Sequence, residues 1–197
     1  REFRMYFHGM ARARAGQWTG IAFSKDGLNW QPAPYIAGKF YFRVFRWQNV
    51  TYAIAKDWDN GWGELYRSAD GLTDFKRRGH FIRRVRHTAV NLIGHQLLVF
   101  YSRVGDAPER ILLSTVDLRP DWRYWPPTEP IEVLRPEMTY EGTAFPVTPS
   151  QSGAAINVRQ LRDPAIFVEN EQMFLFYSIA GEMGLAMAEI KISMKSN

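Results

Sequence analysis

The stretch QLRDPAIFVENEQMFLFYSIAGEMGLAMAEI, residues 160–190, decides how the chain is expected to fold. An apolar run at 164–168 is followed by a polar turn, and two further apolar runs follow at 173–178 and 184–190. Short apolar runs bounded by polar turns are typical of β-strands. The stretch therefore predicts three short strands, with the charged pair Arg162-Asp163 at the entrance of the first.

The same pattern recurs along the chain. Repeats begin at Arg43, Arg86 and Arg162, the first interval is 43 residues, and an insertion lengthens the second. The element SKDGL at 24–28 returns as SADGL at 68–72, and Asp-Gly supplies the positive φ that a tight turn between strands needs. Helical periodicity is hard to find anywhere. A period in the forties with three or four strands per unit predicts an all-β fold, a β-propeller.

The repeats predict about three and a half blades, in a single but partial propeller domain over residues 1–197. Residues 126–159 are predicted to form a long insertion between blades, and loops of this length are usually functional or disordered. A propeller closes only when its last blade meets its first, so two open faces and unpaired edges are expected. The chain is then expected to be a fragment that lacks its native start, or to associate with other chains through these edges.

Composition excludes several classes of function. There is no cysteine, which removes thiolate metal sites and a cysteine nucleophile. The net charge is +5 with a basic cluster at 76–86, for which a solvated surface is favoured over a site for phosphates or acidic sugars. No cofactor, metal or nucleic acid is expected. No apolar run is long enough to span a membrane as a helix.

The ordered series of segments carries a family resemblance. RMYFHGM, IAFSKDGLNW, YFRVF, RHTAV, LLVFYSRVGDAPERILLS, EVLRPE, QLRDPAIF and FLFYSIAGEMGLAMAEI together resemble the five-bladed propellers related to glycoside hydrolase families 43 and 32. The resemblance implies five blades in the complete protein. It also implies an active site in the funnel at the propeller axis, with an Asp base, a second Asp that tunes acidity and a Glu acid.

Part of that pattern is displaced in this chain. In family 32 relatives an Arg-Asp-Pro element carries an Asp that stabilises the transition state, and Arg162-Asp163-Pro164 matches its letters. This copy lies in the last blade instead of an early one. The first blade, which holds the base or nucleophile in such families, is expected to be absent, so the chain alone is not expected to catalyse.

Three residues are candidates for catalysis. Asp163 is predicted to enter the funnel, although an ion pair with Arg162 that pins the blade start is an equal interpretation. His87 occupies the comparable position in its own blade and could act as acid or base, with a satisfied buried histidine as the alternative. Glu141 lies in the insertion beside Tyr140, where an aromatic wall would raise its pKa and suit a general acid; the alternative is a solvated loop residue.

Five residues are candidates for substrate binding. Arg43 and Arg86 stand near blade entrances and could bind a carboxylate substrate in a bidentate manner, with pairing to backbone and acidic groups of the protein as an equal alternative. Glu182 follows a strand and could reach the funnel mouth. Arg162 and Tyr140 complete this set as neighbours of the candidate catalytic residues.

The function predicted for the complete protein is hydrolysis of a glycosidic bond by acid/base chemistry on a carbohydrate. Two alternatives stay open. One is a carbohydrate-binding propeller without catalysis, in which aromatic rings stack on sugars. The other is a lyase on acidic polysaccharide, which the four histidines and the basic charge would suit.

Overall fold

The computed structural model of the chain describes residues 2–10 and 15–192. These residues form four antiparallel sheets. The first sheet has β1 (Phe3–Met10), β2 (Gln17–Ser24) and β3 (Gln31–Lys39); the second has β4 (Arg43–Trp47), β5 (Val50–Lys56), β6 (Trp62–Ser68) and β7 (Lys76–Arg83); the third has β8 (Val85–Ile93), β9 (Gln96–Arg103), β10 (Ile111–Asp117) and β11 (Ile131–Leu134); the fourth has β12 (Arg162–Glu169), β13 (Gln172–Ile179) and β14 (Gly184–Ile190).

Each sheet is a meander, because consecutive strands of the chain are hydrogen-bonded neighbours. Two short 3-10 helices, Trp122–Tyr124 and Thr139–Glu141, are the helices in the described part of the chain, and neither is long enough to span a membrane.

The sheets pack face to face in chain order, with a separate core between each neighbouring pair. Side chains of β5 alternate, so that Ile54 faces the third sheet while Ala53 faces the first. The same alternation on β9 directs Val99 toward the second sheet and Phe100 toward the fourth. The second and third sheets are therefore buried on both faces, and the middle of one strand in each, residues 52–55 of β5 and 97–101 of β9, is apolar without interruption.

The first and last sheets each keep one apolar face exposed. On the first, Phe7 is 39% and Ile36 is 43% exposed; on the last, Leu185 is 77% and Met187 is 55% exposed.

The strands that sequence reasoning missed are β3, β7 and β11, which are each the last strand of their sheet. Two prolines interrupt β3, and β3 and β7 pair irregularly with their neighbours. The described residues form four sheets where about three and a half blades were predicted. The predicted insertion at 126–159 contains β11, which pairs with β10.

The repeated turn is confirmed in atomic detail. Ser24 Oγ donates to Asp26, which accepts from the backbone N–H groups of residues 28 and 29. Ser68 and Asp70 make the same bonds 44 residues later. Both turns are structural, as the sequence indicates.

The first strands of the third and fourth sheets are irregular where they approach the centre of the molecule. The register of β8 shifts between Val85 and Thr88, and that of β12 shifts between Arg162 and Ala165. β-Bulges of this kind re-aim side chains. Here they redirect the residues that form the site described next.

Candidate functional site

A cavity of about 760 Å³ lies where the first strands of the four sheets approach one another. Each of these strands contributes a polar side chain: His8 from β1, Arg43 from β4, His87 from β8 and Asp163 from β12. The other residues on its wall are Tyr6, Gln17, Phe40, Tyr41, Phe42, Lys56, Trp58, Asn60, Arg86, Ser152, Gly153, Ala154 and Glu182. A volume in this range is typical of sites for small organic ligands.

His87 and Asp163 form a direct pair inside the cavity. Nδ1 of His87 contacts Oδ1 of Asp163, and Ser178 Oγ donates to Oδ2 at 2.9 Å. Both residues lie in the bulges, and Asp163 has φ +50°, a conformation that Asp adopts more readily than most residues. Burial raises the pKa of Asp163, but the bonds from His87 and Ser178 outweigh it and hold the pKa below its usual value. The carboxylate therefore stays ionised and fixes the imidazole with Nε2 as its remaining nitrogen.

Tyr41 lies between two histidines on the cavity wall. Its ring centroid is 4.2 Å from that of His8 and 4.2 Å from that of His87, both edge to face. Its φ of +62° is unfavourable for an aromatic residue and occurs where surrounding contacts impose it. Burial raises the pKa of the Tyr41 hydroxyl, and the nearby Asp163 adds to this effect. The pKa of His8 is lowered by burial and then by His87 and Arg43, which favours its neutral form.

Two cations of the cavity, Arg43 and Lys56, form no ion pair with an acidic side chain among the described residues. Arg43 donates from Nε to the carbonyl of Thr88 at 2.5 Å, which leaves its terminal nitrogens without a described hydrogen bond. The Nζ of Lys56 lies 5.8 Å from the centre of the Phe40 ring and 5.9 Å from that of Tyr41. Burial, with the charge of Arg86 nearby, lowers the pKa of Lys56 to about 8.

Arg86 and Arg162, in contrast, are fully engaged with the protein. Arg86 Nε donates to Glu109 at 2.7 Å, and Arg162 Nε is 3.1 Å from the other oxygen of the same carboxylate. Both guanidinium groups also bind the carbonyl of Gly153, and Arg86 binds that of Gln151. The buried Arg–Glu–Arg cluster therefore ties the cavity segment 151–153 to β8 and β12.

Glu182 lies at the exposed mouth of the cavity, between β13 and β14. Arg162 Nη1 binds its Oε1 at 3.2 Å, and no described residue engages Oε2. Of the predicted binding residues, Arg43 and Glu182 thus present polar atoms to the cavity, whereas Arg86 contributes to its wall and Arg162 supports it from behind.

Glu141 and Tyr140 do not lie on the cavity wall. Glu141 is 3% exposed; its Oε1 accepts from the Tyr177 hydroxyl at 2.8 Å, and its Oε2 accepts from two backbone N–H groups of the loop at residues 137 and 138. Tyr140 is 54% exposed. The contacts of Glu141 anchor the loop, so the structure gives no support to a general-acid role for it.

An aromatic rim residue was missed by sequence reasoning. Trp58 is 45% exposed beside the cavity and is held by an edge-to-face contact with Trp18 at 4.9 Å. Lys39 Nζ lies 4.8 Å from the centre of the Trp58 ring. The two neighbours fix the orientation of the indole, so one aromatic surface is pre-positioned at the mouth. Within residues 2–10 and 15–192, no group of three or more acidic or histidine side chains is arranged to hold a metal ion.

Comparison with known proteins places this geometry in context. No protein-family profile matches the chain. An uncharacterized protein of Acanthamoeba polyphaga mimivirus is 32% identical over 207 residues, which cover 95% of this chain and 57% of that protein. The chain thus spans little more than half of this relative.

Solved structures give the fold. A thermostable family-43 glycoside hydrolase superposes with a TM-score of 0.66 and 12% identity, over 93% of this chain and 67% of that one. A family-32 β-fructofuranosidase of Bombyx mori superposes with a TM-score of 0.58 and 14% identity, over 91% of this chain and 39% of that one. The described sheets therefore have the fold of propeller enzymes in these two glycoside hydrolase families, as the sequence resemblance implies.

Proposed function

We propose that the complete protein binds a carbohydrate in the central cavity and cleaves a glycosidic bond there by acid/base chemistry. The observation that carries the proposal is the His87–Asp163 pair, held by two bulges where the first strands of the sheets meet. The likeness of the fold to glycoside hydrolases supports a sugar as the ligand, although one fold hosts many activities.

The pair has the arrangement of an oriented acid/base group. Asp163 accepts from Nδ1 of His87 and stabilises the imidazolium, so Nε2 can take a proton from water or deliver one to a leaving oxygen. Glu182 at the cavity mouth supplies a second carboxyl with one oxygen available. Hydrolysis needs two such groups, because one activates water while the other protonates the leaving group.

Aromatic side chains support sugar binding beside these groups. Phe40 and Tyr41 line the wall and Trp58 stands at the mouth. Aromatic rings offer apolar faces to the C–H faces of sugar rings, while the polar side chains bind hydroxyl groups.

The test is a screen of aryl glycosides and oligosaccharides with the complete natural protein and with Asp163→Asn and His87→Gln. We expect each variant to lower kcat by about 100-fold or more, as loss of a general acid/base does, with a smaller effect on KM. Glu189→Gln is the control, since Glu189 is exposed on β14, away from the cavity wall. Full activity in both cavity variants would overturn the assignment.

The second candidate is a carbohydrate-binding propeller without catalysis. Both oxygens of Asp163 are engaged, one by His87 and the other by Ser178, which favours this function. Such a carboxylate can hold the imidazole of His87 in an orientation that binds a sugar hydroxyl group. Calorimetric sugar binding without turnover, lost in Trp58→Ala, would support this function over hydrolysis.

A further inference from the structure

We propose that the ligand of the cavity carries a carboxylate, as in a uronic acid, and that Arg43 and Lys56 bind it. This inference rests on the proposed function, since it assumes a sugar in the cavity and specifies its class.

The acidic groups of the cavity are already bound by side chains of the protein. Asp163 is paired with His87, and Glu182 and Glu109 are bound by Arg162 and Arg86. Arg43 and Lys56 have no such partner among the described side chains. A cavity whose acids are satisfied and whose two remaining cations face inward is complementary to an anion.

The two cations are placed to reach one anionic group. Arg43 on β4 pairs with Ile54 on β5, and Lys56 lies two residues further along β5 on the same face. Diagonal neighbours of this kind have Cα atoms about 7–8 Å apart, a separation that long side chains bridge easily. The guanidinium offers two parallel N–H donors, which match the two oxygens of a carboxylate.

The surroundings favour an acidic sugar over a small inorganic anion. Phe40 and Tyr41 lie within 5.9 Å of Lys56 Nζ and present ring surface that an inorganic anion would not use. The carboxylates of Asp163 and Glu182 share the same cavity and would repel a dianion more strongly than a monoanion. A single carboxylate on a sugar ring satisfies both conditions.

A carboxylate ligand would also account for the burial of Lys56 at the end of β5. A lysine that is 5% exposed at the end of an apolar strand loses hydration. The charges of Glu109 and Asp57 offset this loss only in part, because Arg86 and Arg162 act against them. A ligand carboxylate would add a counter-charge and favour the protonated state of Lys56. Ligand binding and proton uptake at this residue are then coupled.

The experiment compares matched ligands by titration calorimetry on the complete natural protein. Oligomers of glucuronate or galacturonate are measured against neutral oligomers of glucose or galactose, with inorganic phosphate and sulfate as further arms. We expect the uronate to bind at least about tenfold more tightly than its neutral counterpart. Arg43→Gln and Lys56→Met should each reduce that ratio toward one, whereas Arg46→Gln, an exposed arginine on the same strand, should leave it unchanged.

The dependence on pH gives a second readout. The affinity for uronate should fall as the pH rises through about 8, where Lys56 loses its proton, and this fall should be absent in Lys56→Met. Equal affinity for neutral and acidic sugars would overturn the carboxylate assignment and leave the proposed function standing. Phosphate or sulfate bound as tightly as the uronate would also overturn it, and no binding of any sugar would overturn both proposals.

Discussion

Replacing Glu109 by Gln is expected to lower the free energy of unfolding by about 3–5 kcal/mol, because the change leaves buried Arg86 without a carboxylate partner and leaves Arg162 with the partly exposed Glu182 alone. The side chains of Glu109, Arg86 and Arg162 are 0%, 3% and 1% exposed. Breaking a buried ion pair from one side leaves an uncompensated charge in a medium that solvates it poorly. The isosteric amide keeps the shape of the side chain, so the loss measures charge and not packing.

Urea unfolding followed by circular dichroism would measure this effect. With a slope of about 2 kcal/mol per molar urea, the expected loss shifts the midpoint by roughly 1.5–2.5 M. Glu132→Gln is the matched control: Glu132 also binds two arginines, Arg110 and Arg135, but its side chain is 31% exposed. Solvent screens that cluster, so the control should cost about 1 kcal/mol or less. Equal midpoint shifts in the two variants would refute the reasoning.

Two further changes test other parts of the cavity wall. Lys56→Met should stabilise the protein below about pH 8, because the pKa of Lys56 is lowered to about 8 in the folded protein. Between that pH and about 10.4, the usual pKa of lysine, the unfolded chain binds more protons than the folded protein. The stability of the natural protein therefore rises with pH in this range. The gain from Lys56→Met, at most about 3 kcal/mol at neutral pH, should therefore shrink as unfolding is repeated from pH 7 to 9.5, and a gain that does not change with pH would contradict the lowered pKa. Gly181→Ala should lower the melting temperature well beyond Gly94→Ala: both glycines have positive φ, but an added Cβ at Gly181 would lie 2.2 Å from the carbonyl oxygen of Ala155, whereas at Gly94 it meets nothing within 4 Å. Similar melting temperatures for the two alanine variants would show that the segment moves aside.

The strands that can be predicted from the sequence are the buried ones, because a strand buried on both faces consists mainly of apolar residues. β9 is buried on both faces, so its run of apolar residues is continuous and easy to recognise. β3 lies at the end of its sheet with most of its residues exposed, and Pro32 and Pro34 read as loop residues. Strands of this kind are defined by their pairing with a neighbour and not by their own composition.

The candidate site was predicted in part, for a physical reason. Asp163, His87 and Arg43 each stand at the start of a repeat, and equivalent positions in a repeated fold converge. Lys56 and Trp58 follow an apolar strand as ordinary polar and aromatic residues, and only the three-dimensional arrangement shows that they meet the others. The sequence favours Glu141 because its loop is long and aromatic, whereas in the structure this residue is buried, accepts three hydrogen bonds and does not line the cavity.

The separate cores between sheets have a consequence for how the molecule opens. The second and third sheets are each packed from both sides, whereas the first and fourth are packed from one side in the described chain, so amide hydrogens of β5 and β9 should exchange more slowly than those of β2 and β13. His8 and Asp163 belong to the two faster sheets, while Arg43 and His87 belong to the slower pair. The cavity would then be lined by two slowly exchanging sheets, the second and third, and by two faster ones, the first and fourth. A ligand that contacts all four should slow amide exchange mainly in the first and fourth sheets.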